Sequence, residues 1–124
     1  MQVVYTIYQY LVYDKVKDTM TEPKKAKPLW TVTISGSATK MAQKMPNKIL
    51  DLLALLLADI ERSGPIRRDW KNFSELAKSK RITANSYHCH IKKGNPTYVA
   101  CWRVSKEAKI VEVFYVGTHE NAPY

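Results

Sequence analysis

Two short stretches of the chain hold its three histidines: Tyr87-His88-Cys89-His90-Ile91, and Val116-Gly117-Thr118-His119-Glu120-Asn121-Ala122-Pro123-Tyr124. Alternate side chains of a strand share a face. Tyr87, Cys89 and Ile91 therefore point one way, and His88, His90 and Lys92 the other. The apolar set belongs against a core, which aims the histidines at an exposed face. An imidazole titrates at about pH 6.5 in an unperturbed peptide, so it can take or give a proton near neutrality. Lysine and arginine can steady negative charge as it develops. Together these are parts for cleaving RNA without a metal. A base takes the 2′-hydroxyl proton, cations steady the phosphorane, and an acid protonates the departing 5′-oxygen. His90 and His119 are the main acid–base candidates, and His88 falls toward the phosphate. Tyr124 or Tyr98 can stack on a base or move a proton. A competing reading takes His88, His90 and His119 as zinc ligands, because His-x-His on a strand is a known zinc arrangement. Glu120 is the one acid close by in sequence and the surroundings are positive, so no metal or other cofactor is expected. Taken singly, His88 and His90 read as exposed polar residues and His119 as a loop residue.

The elements that must position these side chains follow from periodicity and punctuation. Leu29 to Ile34 alternates as a first strand. Ser35-Gly36-Ser37 offers a turn with an N-capping hydroxyl, and Ala38, Met41, Ala42 and Met45 repeat at helical spacing. Pro46 breaks that helix. A second, leucine-rich helix runs from Asn47 to Arg62, stopped by Ser63-Gly64-Pro65. Residues 65–85 form a basic, irregular connection with Arg67, Arg68, Trp70, Lys71, Lys78, Lys80 and Arg81. Three strands close the chain, at about 86–92, 97–104 and 109–116, turned by Lys93-Gly94-Asn95-Pro96 and by Ser105-Lys106-Glu107-Ala108. The expected fold class is α+β, in the order β-αα-βββ, with a helical hairpin on one face of a mostly antiparallel sheet. The other face is left free for work. In a plain meander, bringing His119 to His90 is expected to require a rearranged strand order. Trp70, Trp102 and Tyr115 read as core or platform residues rather than catalysts.

Composition narrows the partners. The chain has 124 residues, no internal repeat and 45% hydrophobic residues, enough for one modest core. Twenty basic residues face 11 acidic ones, for a net charge of +9. Such a charge suits nucleic acid, a ribosome, an anionic membrane surface or an acidic protein. The two cysteines, Cys89 and Cys101, lie in expected strands and form no C-x-x-C motif. They read as buried thiols of a reducing cytoplasm, with a bridge across the hairpin left open. No stretch has the length of a membrane span, and Met1 to Val12 lacks the charge and cleavage site of a signal peptide, so a cytoplasmic location is expected with no membrane partner. Residues 1–28 differ from the rest. A β-prone segment leads into Thr21-Glu22-Pro23-Lys24-Lys25-Ala26-Lys27-Pro28, where two prolines bracket three lysines. They read as an N-terminal extension and linker, with the compact domain spanning 29–124.

Residues 29–124 resemble the RelE/ParE superfamily of bacterial toxins, and more narrowly its RelE-like branch of cytotoxic translational repressors from toxin–antitoxin modules. The resemblance is carried by Gly64-Pro65 with Trp70, by Tyr87 to Ile91, by Pro96-Thr97-Tyr98-Val99-Ala100-Cys101-Trp102, and by Val116 to Tyr124. It implies an endoribonuclease, an mRNA interferase that cuts messenger RNA in the ribosomal A site mostly without a metal. It also implies a cognate antitoxin, acidic and partly disordered, that wraps the basic face. By position, the family's two sheet lysines fall on His88 and His90, the arginine after the final strand's glycine on His119, and the tyrosine near the C-terminus on Tyr124. The next strand's arginine has no clean match, since Thr97-Tyr98 occupy its place and Arg103 is not aligned with it. Arg67, Arg68, Lys71, Lys92 and Lys93, with Tyr98, are left as the RNA-binding candidates. ParE-type members share the fold and inhibit DNA gyrase instead, which keeps a non-catalytic toxin as the alternative, together with a decayed RNA- or ribosome-binding member.

Overall fold

The computed structural model describes residues 29–124, so the expected extension and linker at 1–28 lie outside the described residues. The first strand, β1 (Thr31–Ile34), runs into helix α1 (Gly36–Gln43) and then helix α2 (Asn47–Ser63). The start of α1 is set by Ser35, whose Oγ accepts the Ala38 amide at 3.1 Å, while the Thr39 hydroxyl donates to the Ser35 carbonyl at 2.9 Å. Capping the otherwise unpaired first-turn amides is why a serine stands there. Helix α2 buries Ile49, Leu53, Leu56, Leu57 and Ile60 on one stripe and ends at Gly64, whose φ of 100° favours glycine. A Cβ there would also meet the Trp30 indole nitrogen at 3.2 Å.

Four further strands follow: β2 (Ser74–Glu75), β3 (Ser86–Lys92), β4 (Tyr98–Ser105) and β5 (Ile110–Thr118). The sheet order is β1-β5-β4-β3-β2, with β1 parallel to β5 and every other pairing antiparallel. This is the α+β, β-αα-βββ architecture that the sequence pattern predicts, with a short edge strand added. That strand falls inside the connection expected to be irregular. The same connection is tied down elsewhere: Trp70 Nε1 donates to Asp59 of α2 at 2.9 Å, and the Phe73 ring stacks on Tyr87 and Trp102.

One face of the sheet packs on the helices. Tyr87, Cys89 and Ile91 of β3, Ala100 and Trp102 of β4, and Val111, Val113 and Val116 of β5 join the buried α2 stripe in the main core. Trp102 is fully buried and its indole nitrogen donates to the Pro65 carbonyl at 3.2 Å. The opposite face carries a second, smaller cluster: Val99 and Cys101 of β4, Tyr115 of β5, and Leu76 and Ile82 from the loop after β2. That face is therefore partly roofed rather than bare. The two thiols fall on opposite faces, since Cys89 pairs with Ala100 while Cys101 pairs with His88. A disulfide across this hairpin is thus ruled out by the side-chain alternation, and burial pushes both thiols up to about 12.

Candidate functional site

Antiparallel pairing aligns the side chains into rows across the smaller-cluster face. His88, Cys101 and Tyr115 form one row, and His90, Val99 and Gly117 the next. Because β3 and β5 both run antiparallel to β4, they point the same way and end at the same edge. The strand order is a plain meander, so no rearrangement is needed to bring His119 to His90. Past Gly117 the chain stays paired to the start of β4, and the His119 amide donates to the Thr97 carbonyl at 2.8 Å. A single turn of 3₁₀ helix, His119–Asn121, then returns the chain toward β3.

The result is a closed circuit of four rings. His88 and His90 have centroids 5.9 Å apart, His90 and His119 5.4 Å, His119 and Tyr124 5.9 Å, and Tyr124 and His88 4.5 Å. Gly117 is required beneath it. The Tyr115 ring lies across that residue so closely that a Cβ would sit 2.7 Å from the phenol oxygen, which donates to the Thr118 carbonyl at 2.7 Å.

The environments of the rings differ. His88, expected on an exposed face, is only 8% accessible, with Ser74 of β2 and the Tyr124 ring lying against it. Its Nδ1 lies 3.3 Å from the Ser74 hydroxyl. Burial, then the neighbouring His90, hold it below the usual histidine range, against an opposing pull from the Ser74 backbone. His90 is half-buried and also held low, by burial first and then by His119 and Lys93. Its amide donates to the Lys71 carbonyl at 2.8 Å. His119 is exposed at the rim. Tyr124 is 43% accessible, and desolvation pushes its phenol up to about 12, so it stays protonated and can donate a hydrogen bond. Two neutral imidazoles at pH 7, a third at the rim and a protonated phenol can together exchange protons and hydrogen bonds with one bound group.

The other candidates from the sequence scatter. Lys92, at the end of β3, and Lys71 and Lys93, on the segments flanking it, are exposed. Arg67 is largely buried at its side chain, 14% accessible, and held to Asp69 at 3.3 Å. Arg68 lines a cleft of about 490 Å³ with Phe73, Ser74, Glu75 and Tyr87, at the β2 edge of the sheet. Tyr98 packs against the main core, because even-numbered β4 residues share the Ala100 and Trp102 face. Among the described residues, no group of three or more His, Cys, Asp or Glu is arranged to hold a metal ion. The sequence reading missed Ser74 and the Thr97 carbonyl, which orient His88 and His119. Neither carries a local signal, since each acts through a residue distant in sequence.

No family model matches the chain, and no curated protein matches it. Solved structures do. The RelE–RelB complex of Pyrococcus horikoshii OT3 aligns over 76% of this chain and 99% of its own, with a TM-score of 0.58 at 14% identity. The isolated Escherichia coli RelE toxin aligns over 76% and 88%, with a TM-score of 0.55 at 20% identity. The chain has the RelE-like toxin fold. The YoeB dimer of Staphylococcus aureus extends the likeness, over 73% of this chain and 98% of its own, at a TM-score of 0.57 and 18% identity. At these identities the likeness concerns the fold. In this RelE-like chain the ring circuit occupies the sheet face turned away from the helices.

Proposed function

We propose that this RelE-like protein is the toxin of a toxin–antitoxin pair and that it cleaves messenger RNA on the ribosome by metal-independent acid–base chemistry. The observation that carries the reading is the closed circuit of His88, His90, His119 and Tyr124 on the face the helices leave free. His90, held low and therefore neutral at pH 7, takes the proton of the 2′-hydroxyl. The 2′-oxygen attacks phosphorus, and the bond from phosphorus to the 5′-oxygen breaks. His119, at the rim 5.4 Å from His90 by ring centroid, returns a proton to the departing oxygen. The products are a 2′,3′-cyclic phosphate and a free 5′-hydroxyl. Tyr124 donates its phenol hydrogen to the phosphate or stacks on the base beside it. His88, fixed by Ser74, holds the tyrosine ring in place. The net charge of +9 draws the polyanion in, and Lys93 beside His90 adds positive charge where the phosphorane forms.

The partner proposed alongside is an acidic antitoxin segment that covers the same face. The Pyrococcus relative's RelE–RelB complex supports a protein partner of this kind. A cytoplasmic setting follows from a ribosomal substrate, and no helix among the described residues is long and apolar enough to cross a membrane.

Primer extension on an mRNA in a purified translation system tests the reading. Wild-type protein should produce ribosome-dependent cuts at A-site codons. His119→Ala should lower the cutting rate by about two to four orders of magnitude while leaving the melting temperature in place. Intact mRNA in the presence of a wild-type protein that still arrests growth would move the target to DNA gyrase.

A further inference from the structure

The loop between β2 and β3 does more than connect them. It leaves the sheet at the β2 edge yet folds back over the ring-bearing face. Leu76 and Ile82, 6% and 2% accessible, pack on Val99 and Cys101 of β4 and on Tyr115 of β5. Between these two anchors lie Lys78, Ser79, Lys80 and Arg81, all exposed. Their backbone is held by a local set of bonds. The Ser79 amide donates to the Ile82 carbonyl at 2.9 Å, and the Ser79 hydroxyl oxygen accepts from the amides of Arg81 and Ile82, each at 3.2 Å. The Leu76 amide donates to the Ser86 carbonyl at 2.8 Å, closing the loop at its base. Three cations within four residues are thus carried on a braced turn beside the His88 row. None of the three is in an ion pair with a described acidic side chain.

We propose that the Lys78–Arg81 turn grips the sugar–phosphate backbone of the RNA strand whose scissile nucleotide sits among the imidazoles; the proposal rests on the ribonuclease reading and extends its site. The chemistry of the turn favours RNA over a protein partner. Its apolar residues, Leu76 and Ile82, are turned inward and spent on the cluster below. Protein interfaces need apolar or aromatic anchors at their centre and are depleted in lysine. Backbone phosphates need cations and no anchor. The brace matters because a turn already ordered loses little freedom when phosphates dock. The turn also supplies what two of the earlier candidates do not. Arg67 is held by Asp69, and Arg68 lines a cleft at the β2 edge of the sheet.

The test is fluorescence anisotropy with a labelled single-stranded RNA, 2′-O-methylated to block cleavage, titrated across potassium chloride concentrations. Three proteins are compared: wild type, the triple variant Lys78→Gln/Lys80→Gln/Arg81→Gln, and the control Lys40→Gln/Lys44→Gln/Lys48→Gln on the helical side. Both variants remove the same charge from exposed positions, and thermal melts establish that each is folded. The turn variant should lower the slope of log affinity against log salt by about 2, since each lost phosphate contact on a single strand is worth roughly 0.7. At about 0.1 M salt that is a loss of roughly 100-fold in affinity. The control should change the slope by less than half as much. Equal losses in the two variants would assign the effect to diffuse charge and overturn the proposal, as would an unchanged turn variant. A turn variant that binds RNA normally but loses binding to polyglutamate would assign the turn to an acidic protein. Cleavage of ribosome-bound mRNA by all three separates the two readings. Wild-type cutting matched by the turn variant sinks the turn alone, whereas a wild type that neither binds nor cuts RNA sinks both.

Discussion

The two faces of the central sheet are built from the same strands and put to opposite uses. On the helix face, Trp102, Val111 and Val113 meet Leu53, Leu56 and Leu57 in one large apolar core. On the other face, Val99, Cys101 and Tyr115 make a floor just broad enough to seat Leu76 and Ile82, and polar rings occupy the edge. Apolar burial stabilises the first face in proportion to area. The second sacrifices area to keep three imidazoles and a phenol within reach of one another. Neighbouring residues on a single strand, such as His88 and Cys89, therefore belong to different physical regimes.

The sharpest way to break the comparison is to cut into each face in turn. Trp102→Ala should destabilise the protein by about 3–5 kcal/mol, as loss of a buried indole does, and leave the Pro65 carbonyl without its donor. Urea unfolding measures it. His119→Ala should do the reverse, losing cleavage while unfolding at the wild-type midpoint. A similar stability loss in both would mean that the ring circuit is structural.

Gly117→Ala probes the joint between the faces. The new Cβ must displace the Tyr115 phenol, and overpacking of this kind costs about 1–3 kcal/mol. The displaced ring also releases the Thr118 carbonyl just before His119, so cleavage should fall by more than the lost stability accounts for. Combining Gly117→Ala with Tyr115→Phe, which removes the clashing oxygen, should recover part of the stability but not the activity.

The smallest effect concerns pH. His88 is held low in the folded protein by burial and by His90. Below about pH 6.5 the unfolded chain takes up a proton that the folded ring resists. Stability supplied by the neutral ring is thus fully present above that pH and is lost as pH falls through the lowered folded value. Denaturant unfolding between about pH 5 and 7.5 should show this decline. His88→Gln, which keeps a polar partner for Ser74, should flatten it. An unchanged slope would place the titration elsewhere.

The alternation of Tyr87 to Lys92 was enough to separate the core face of β3 from the histidine face, and Ser35, Pro46 and Gly64 mark the helix ends from sequence alone. These are local matters. A strand period, an N-cap and a positive-φ glycine act over a few residues, so they survive without knowledge of the fold. The apparent need for a rearranged strand order failed because pairing to a shared neighbour, β4, is itself enough to align the ends of β3 and β5. The exposure expected of His88 failed because the residues against it come from β2 and the end of the chain.

What the sequence by itself determined is the α+β class, the element order and the three histidines as the groups able to exchange protons near neutrality. Those follow from side-chain chemistry and short-range periodicity. Only the tertiary structure decided that His88, His90, His119 and Tyr124 form one circuit, that the two thiols face apart, and that the basic turn at 78–81 folds back beside them. Each of these joins residues far apart along the chain, and their meeting depends on pairing register and loop packing, which no local run of residues encodes.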